Sequence, residues 1–188
     1  NWSANEKTAY EAALEMSFTG KRTMVCMKHV GLNVAADAFI NSAVTGVNGG
    51  LIIVVADDPS MHSSQNEQDS RFYGKFAFIP ILEPSDQQEA YDMMEYGFRL
   101  SEENNIPVMM RLTTRMAHSR AVVEVDKSPT PRKKELSFPK DPSSWILLPA
   151  NARRKYPKVI SGYEELERIG VSKEGWNRFF DAPDKSLG

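Results

Sequence analysis

The sequence predicts an α/β fold, a parallel β-sheet flanked by helices, on three observations. Short apolar runs begin near residues 23, 51, 79 and 107. A helical segment separates each pair, so the repeat of about 28 residues is that of right-handed βαβ units. Leu51-Ile52-Ile53-Val54-Val55-Ala56 is a continuous, largely β-branched run without polar alternation, as burial on both faces of a parallel sheet requires.

Each element has its own signal. From Ser3 to Thr19, Ala9, Ala12, Ala13, Met16 and Ser17 recur at helical spacing, and Gly20 stands where a C-terminal glycine belongs. Ser3 with Glu6 three residues on reads as a capping box at the start of that helix. Arg22 to Met27 is a buried strand. Asn33 is a cap for a second helix reaching Val44, with Val34, Ala35 and Ala38 on one face. Gly46, Gly49 and Gly50 break the chain before the strand Leu51 to Ala56. A helix is expected over Asn66 to Phe76, followed by a short strand Ile79 to Leu82 that Pro80 confines to an edge or end. Ser85 and Gln88 form a second box, opening a helix to Glu103 with Ala90, Met94, Gly97 and Phe98 inward. Val108 to Leu112 is the next strand, and Ala121 to Val125 offers one more.

Beyond Asp126 the character changes. Pro129, Pro131, Arg132, Lys133, Lys134 and Pro139 with few apolar anchors mark a linker to Asp141. Trp145-Ile146-Leu147-Leu148-Pro149 is an apolar clip, and a basic-then-acidic helical segment from Ala150 to Ile169 is expected to be interrupted at Pro157. Trp176, Phe179 and Phe180 are candidates for packing. The expected organisation is one domain over 1–125, with a linker and C-terminal extension over 126–188. An α/β unit that opens on a helix leads us to expect that a first βα unit is missing, and that the chain is a fragment or a subunit.

Composition narrows the function classes. At 188 residues with 41% hydrophobic and 26% charged, the chain suits one ordinary globular core. A net charge of -2 gives no electrostatic footprint for nucleic acid. No apolar run reaches the roughly 18 residues of a membrane span, and the polar N-terminus has no secretory pattern. A single cysteine, Cys26, excludes an internal disulfide and a cysteine-rich zinc or iron–sulfur site within the sequence, which points to a reducing, cytoplasmic setting. Cys26 inside a strand reads as a buried, inert thiol.

In an open parallel sheet, ligands gather beyond the carboxyl ends of the strands. The stretches Lys28 to Asn33, Asp57 to Asp69, Glu83 to Asp86 and Thr113 to Ser119 fall there, and His29, His62 and His118 each lie in a different one. Asp57, Asp58, His62, Glu67 and Asp69 are the densest set of ligand-type residues, but their spacing matches neither a zincin helix nor a calcium loop, and a structural or surface role is the plainer reading. Ser63 or Ser119 with His118 could make up a nucleophile pair, yet neither serine sits in a Gly-x-Ser-x-Gly elbow. No phosphate-loop or dinucleotide motif is present, since Gly49-Gly50 precedes a strand instead of following one. Lys28 and His29 at a strand end are candidates for contact with an anionic substrate. Glu6 is either a helix cap or a chemical group aimed at a cofactor cleft.

Several ordered motifs together carry a resemblance. Asn5-Glu6-Lys7-x-Ala9, Met27-Lys28-His29-Val30-Gly31-Leu32-Asn33-Val34-Ala35-Ala36-Asp37, Val54-Val55-Ala56-Asp57-Asp58-Pro59, His62-Ser63-Ser64-Gln65-Asn66-Glu67-Gln68-Asp69, Thr113-Thr114-Arg115 and His118-Ser119-Arg120 stand in that order. Over Trp2 to Val125, and again from Trp145 to Arg154, the chain resembles the alpha subunit of indolepyruvate ferredoxin oxidoreductase. That family belongs to the 2-oxoacid:ferredoxin oxidoreductases, which use thiamine diphosphate and iron–sulfur clusters to decarboxylate a 2-oxo acid oxidatively, form an acyl-CoA and pass electrons to ferredoxin.

The resemblance implies that 1–125 is a pyrimidine-binding domain of the thiamine diphosphate-binding fold. It makes Glu6 the glutamate that hydrogen-bonds the aminopyrimidine ring nitrogen. A carboxyl there shares a proton with the ring and primes its exocyclic nitrogen to take the thiazolium C2 proton. Gly31 would let backbone approach the cofactor, with Asn33 beside it. Lys28, His29, His62, Ser64, Gln65 and Asn66 would line the substrate side. The family's Gly-Asp-Gly…Asn motif for the diphosphate and Mg²⁺, and its cysteine quartets for iron–sulfur clusters, do not occur in this sequence. A diphosphate-binding domain, a beta subunit, ferredoxin and CoA are the implied partners, and nucleic acid and membrane are not. Pyruvate-oxidising relatives place an arginine near the position of Asp57, so an aryl pyruvate is the implied substrate. The rival reading is a non-catalytic α/β interaction domain in which Glu6 only caps a helix.

Overall fold

In the computed structural model, which describes residues 1–126, 136–138, 140–172 and 176–177, β1 (Thr23–Lys28), β2 (Leu51–Asp57), β3 (Ile81–Leu82) and β4 (Val108–Thr113) form one parallel sheet. The order is β1-β2-β4-β3, with Thr23 opposite Leu51, Ile52 opposite Val108 and Ile81 opposite Met109. The helices are α1 (Glu6–Phe18), α2 (His29–Thr45), α3 (Arg71–Ala77), α4 (Gln87–Asn104), α5 (Thr114–His118) and α6 (Pro149–Val171). The expected α/β class and the short edge strand behind Pro80 are both present.

The unbroken apolar run of β2 is explained by its place inside the sheet. Leu51, Ile53 and Val55 point to one face, where they pack with Tyr10 of α1 and with Leu32, Ala35 and Phe39 of α2. Ile52 and Val54 point to the other, against Met93 of α4 and Met110 of β4. Phe39 is fully buried and meets the ring edges of Tyr10 and Tyr73 at 6.1 and 6.4 Å. Tyr10 lies 2.7 Å from the Ser42 hydroxyl, which itself donates to the Phe39 carbonyl, so the tyrosine proton goes to Ser42 and no buried hydroxyl is wasted.

The first helix begins one cap later than the spacing suggested. Asn5, extended at φ -158, is the N-cap and accepts from the Thr8 amide at 2.9 Å. Ser3 lies outside, and Glu6 occupies the first helical position instead of the third, so the Ser3–Glu6 box does not form. The second helix also departs from expectation. It starts on His29 directly after β1, leaving Asn33 inside the helix rather than at its cap, and Val34 is exposed while Ala35 and Ala38 are buried. At α4 the box is shifted by one residue: Asp86 accepts from the Glu89 amide at 2.8 Å, and Glu89 reaches back to the Ser85 amide at 2.8 Å.

Met93, Gly97, Leu100 and Ser101 are the buried residues of α4, with Met94 and Phe98 packed on the rim of the same cluster. The third helix spans Arg71–Ala77, shorter than the 66–76 expected, because the preceding residues are committed to loop bonds. Residues 121–125 form no strand.

Cys26 is exposed, against the expectation of burial. β1 is an edge strand whose residues alternate buried and exposed, and α4 packs on β2 and β4, leaving Met24 and Cys26 facing outward. Partial burial by neighbours still pushes the Cys26 thiol up, against thiolate chemistry. α6 is one continuous helix through Pro157. It lies on the core through Tyr156 and Tyr163, both edge-on to Phe78, and through Leu166. Trp145 of the apolar clip stacks on Phe18 at 4.0 Å, and Trp176 lies against Tyr96 at 5.8 Å. Most of the expected linker, with Phe179 and Phe180, lies outside the described residues. Among the described residues no helix is long and apolar enough to cross a membrane.

Candidate functional site at the carboxyl edge of the sheet

Glu6 and Gly31 meet, although 25 positions separate them in the chain. The first turns of α1 and α2 abut so closely that a Cβ at Gly31 would stand 2.5 Å from Glu6 Cγ and 2.9 Å from its Cδ and Oε1. Only a glycine leaves that space, and the half-buried Glu6 side chain fills it. The carboxyl therefore lies beside the opening turn of a 17-residue helix, where a negative charge is best tolerated. Asn33 is one turn further on, exposed, and its side-chain oxygen accepts from the Tyr73 hydroxyl.

Lys28 and His29 connect this pair to the 58–70 loop. Lys28 donates to the Ser63 carbonyl at 2.8 Å. His29 is buried at 1% exposure, with Nδ1 3.4 Å from the Ala56 carbonyl and Nε2 3.1 Å from the Asn66 carbonyl. It therefore fastens the loop to the sheet, which solvent exposure or open substrate contact would not. His62 and Gln65 are exposed, while Ser64 and Asn66 are partly covered. Ser60 and Met61 are both in the left-handed region, at φ 66 and 54, a costly conformation for residues with side chains.

Two buried aspartates at the end of β2 hold the loop ends. Asp58 accepts the His62 amide at 3.1 Å, the Ser63 amide at 2.7 Å and the Thr114 hydroxyl at 2.7 Å. The Thr114 hydroxyl foremost, with the Ser63 and His62 amides, holds its carboxyl well below the usual carboxylate range. Because the folded value is depressed, the stabilisation is complete above the unfolded value near ~3.9 and is lost only as pH falls through the folded one. Asp58→Asn is accordingly expected to lower the melting temperature by a constant amount from neutral pH down to about 4, with the gap to wild type closing in stronger acid. A gap that closes already between pH 7 and 5 would show that Asp58 does not hold the loop in this way.

Asp57 holds the other end. Its Oδ2 accepts the Ser70 amide at 3.0 Å and the Arg111 Nε at 2.6 Å, while its Oδ1 is buried without a hydrogen-bond partner. Arg111 also donates to Glu83 and lies 3.8 Å from Asp69. Asp69 is held in turn by Arg71 at 2.6 Å, which depresses its carboxyl. Sequence reading placed Arg111 in a strand and gave it no role. A charged residue within the apolar run Val108 to Leu112 was the available signal.

The remaining residues singled out do not join this group. Ser119 accepts from Gln87 and donates to the Met116 carbonyl, and Ser63 lies 3.4 Å from Asp58, so neither serine hydroxyl is paired with His118. Asp57, Asp58, Glu67 and Asp69 are engaged with amides or guanidinium groups, and among the described residues no three His, Cys, Asp or Glu side chains gather to hold a metal ion. A cavity of about 590 Å³ lies at the opposite end of the sheet, between α6 and the C-terminal turn of α2. There Lys155 donates to the Thr45 and Ser144 carbonyls, which is how a cation serves a helix C-terminus.

Over nearly its whole length the chain matches curated relatives. It is 47% identical over 173 residues to the indolepyruvate oxidoreductase subunit IorA of Archaeoglobus fulgidus, covering 92% of this chain. It is 49% identical over 172 residues to that of Thermococcus kodakarensis, covering 89% of this chain. The chain is similar to a part of the indolepyruvate oxidoreductase subunit IorA. It spans 28% and 26% of the length of those two IorA subunits. No family model matches. A 2-oxoglutarate:ferredoxin oxidoreductase from Magnetococcus marinus, solved with 2-oxoglutarate, coenzyme A and succinyl-CoA bound, has the same fold. It aligns over 92% of this chain and 37% of its own at a TM-score of 0.62 and 16% identity.

The residues present suit the ring end of thiamine diphosphate, since Glu6 offers a carboxyl backed by the cradle at Gly31 that a Cβ would fill. Among the described residues no group of His, Cys, Asp or Glu gathers to hold the Mg²⁺ of the diphosphate end.

Proposed function

We propose that residues 1–125 bind the pyrimidine end of thiamine diphosphate in an enzyme that oxidatively decarboxylates aryl pyruvates to acyl-CoA, with ferredoxin as electron acceptor. The observation that carries this reading is the contact between the Glu6 carboxyl and the side-chain-free face of Gly31, at the strand end where ligands of parallel sheets bind. When bound, thiamine diphosphate supplies the electron sink for decarboxylation. This chain's part is to hold a proton at Glu6, with the carboxyl oriented by α2, and to keep the loop bearing His62, Ser64, Gln65 and Asn66 at a set distance through Lys28 and His29. Asn33 is tied to Tyr73, which steadies the helix face beside Glu6.

The diphosphate-binding domain with its Mg²⁺, the iron–sulfur clusters, the beta subunit, ferredoxin and CoA contribute the remaining functions in the cytoplasm, and residues 126–188 are the linker and extension. The rival reading, an interaction domain in which Glu6 is only a cap, is disfavoured because Asn5 already supplies the cap. The test is aryl pyruvate oxidation by the full-length subunit assembled with its partner, followed as viologen reduction in the presence of CoA. Removing thiamine diphosphate and Mg²⁺ is expected to abolish turnover, and adding both back to restore it. Undiminished turnover without the cofactor would sink the proposal.

A further inference from the structure

Arg111 stands near the carboxyl end of β4, between β2 and β3, with a side chain only 8% exposed. Three carboxylates from three separate segments face it: Asp57 at the end of β2, Asp69 just before α3, and Glu83 just after β3. A buried ion pair is weak evidence for stability, because apolar residues of similar volume often do as well. What a guanidinium does better than any apolar group is hold several acceptors in a set of directions. Here the directions have a destination. The Asp57 oxygen that takes the Arg111 Nε also takes the Ser70 amide, so Arg111 determines where the 58–70 loop returns to the fold. The other end of that loop is held by Asp58 and Thr114, and its middle by the Ser63 carbonyl on Lys28 and the Asn66 carbonyl on His29. Two residues on, the same helical turn carries Gly31 and so touches Glu6.

We propose that Arg111 is a positioning residue, which through Asp57 and Ser70 sets the stance of the 58–70 loop and thereby the affinity of the site for its 2-oxo acid. The inference rests on the function proposed above. Arg111 acts on the loop through Asp57, while the Glu6 carboxyl is held separately against Gly31 of α2, so substrate affinity and cofactor affinity are read apart.

The experiment uses the full-length subunit assembled with its partner and two variants, Arg111→Lys and the charge-balanced Asp57→Asn/Arg111→Met, which leaves no uncompensated buried charge. Lysine keeps the charge but loses the fork of donors. Both variants are expected to raise KM for the aryl pyruvate about tenfold or more with kcat within about threefold, and to leave thiamine diphosphate affinity, read by circular dichroism titration, within about twofold. Amides of residues 60–70 should exchange faster in both. An unchanged KM in a folded variant would overturn the inference. So would a parallel loss of kcat, cofactor affinity and melting temperature, or failure of both variants to fold, since each makes Arg111 a scaffold residue. If the wild type does not turn over an aryl pyruvate, the proposed function fails while hydrogen exchange still decides for or against Arg111. Faster exchange confined to residues 60–70 supports it, and unchanged exchange refutes it.

Discussion

Glu6→Gln in the assembled enzyme is expected to lower turnover by about 10²- to 10⁴-fold, the range over which positioned proton-transfer groups act. The amide has the shape of the carboxyl and fills the same space against Gly31, and the cap at Asn5 is untouched, so the unfolding temperature should stay within about 2 °C of wild type. The effect therefore falls on the proton and not on the packing. Glu6→Ala distinguishes the rival reading. If Glu6 served only the helix, alanine at a first-turn position would cost at most about 1 kcal/mol and leave turnover intact. Normal turnover of Glu6→Gln ends the catalytic assignment.

Gly31→Ala is expected to be the second large effect, falling far more heavily on activity than on stability. Alanine is favoured over glycine inside a helix by about 1 kcal/mol. Against this, the new methyl would stand 2.5 Å from Glu6 Cγ, so the glutamate must move. Glu6 is only half buried and can swing outward, so the net stability change should stay within about 1 kcal/mol. Its carboxyl would then be displaced by an ångström or more, enough to cost about 100-fold in turnover. The double variant Glu6→Gln/Gly31→Ala should be little worse than Glu6→Gln alone, because both changes remove the same service. Losses that multiply would mean that Gly31 matters for something other than the placement of Glu6.

The strands were legible because a buried parallel strand leaves its mark in every residue, and Leu51 to Val55 could hardly be anything else. The caps were legible only to within a residue or two. Ser3 and Asn5 are both good caps, as are Ser85 and Asp86, and the choice between them is made by where the helix can pack. Asn33 misled for the same reason: it has a cap's chemistry, but β1 runs straight into α2 and leaves no room for a separate cap. Cys26 misled because an apolar run reads as buried on both sides, while its strand lies at the sheet edge. The pairing of Glu6 with Gly31 was not legible from spacing. It depends on two helix starts meeting in space, and only the resemblance of the motifs placed both residues at one site. Arg111 was hidden by its neighbours, because a cation among methionines and valines looks like a strand running out to solvent.

The loop that carries most of the substrate-side candidates contains two consecutive side-chain-bearing residues, Ser60 and Met61, in a conformation that neither would choose. Left-handed backbone at such residues costs on the order of 1 to 3 kcal/mol each, and here it is opposed by the Glu67 carboxylate on the Ser60 amide and by Asp58 on the next turn. The segment thus resembles a bent spring under several small catches. Its resting shape is therefore set by these catches against the backbone's own preference, so the loop's form depends on the carboxylates of Asp58 and Glu67 as much as on its own residues.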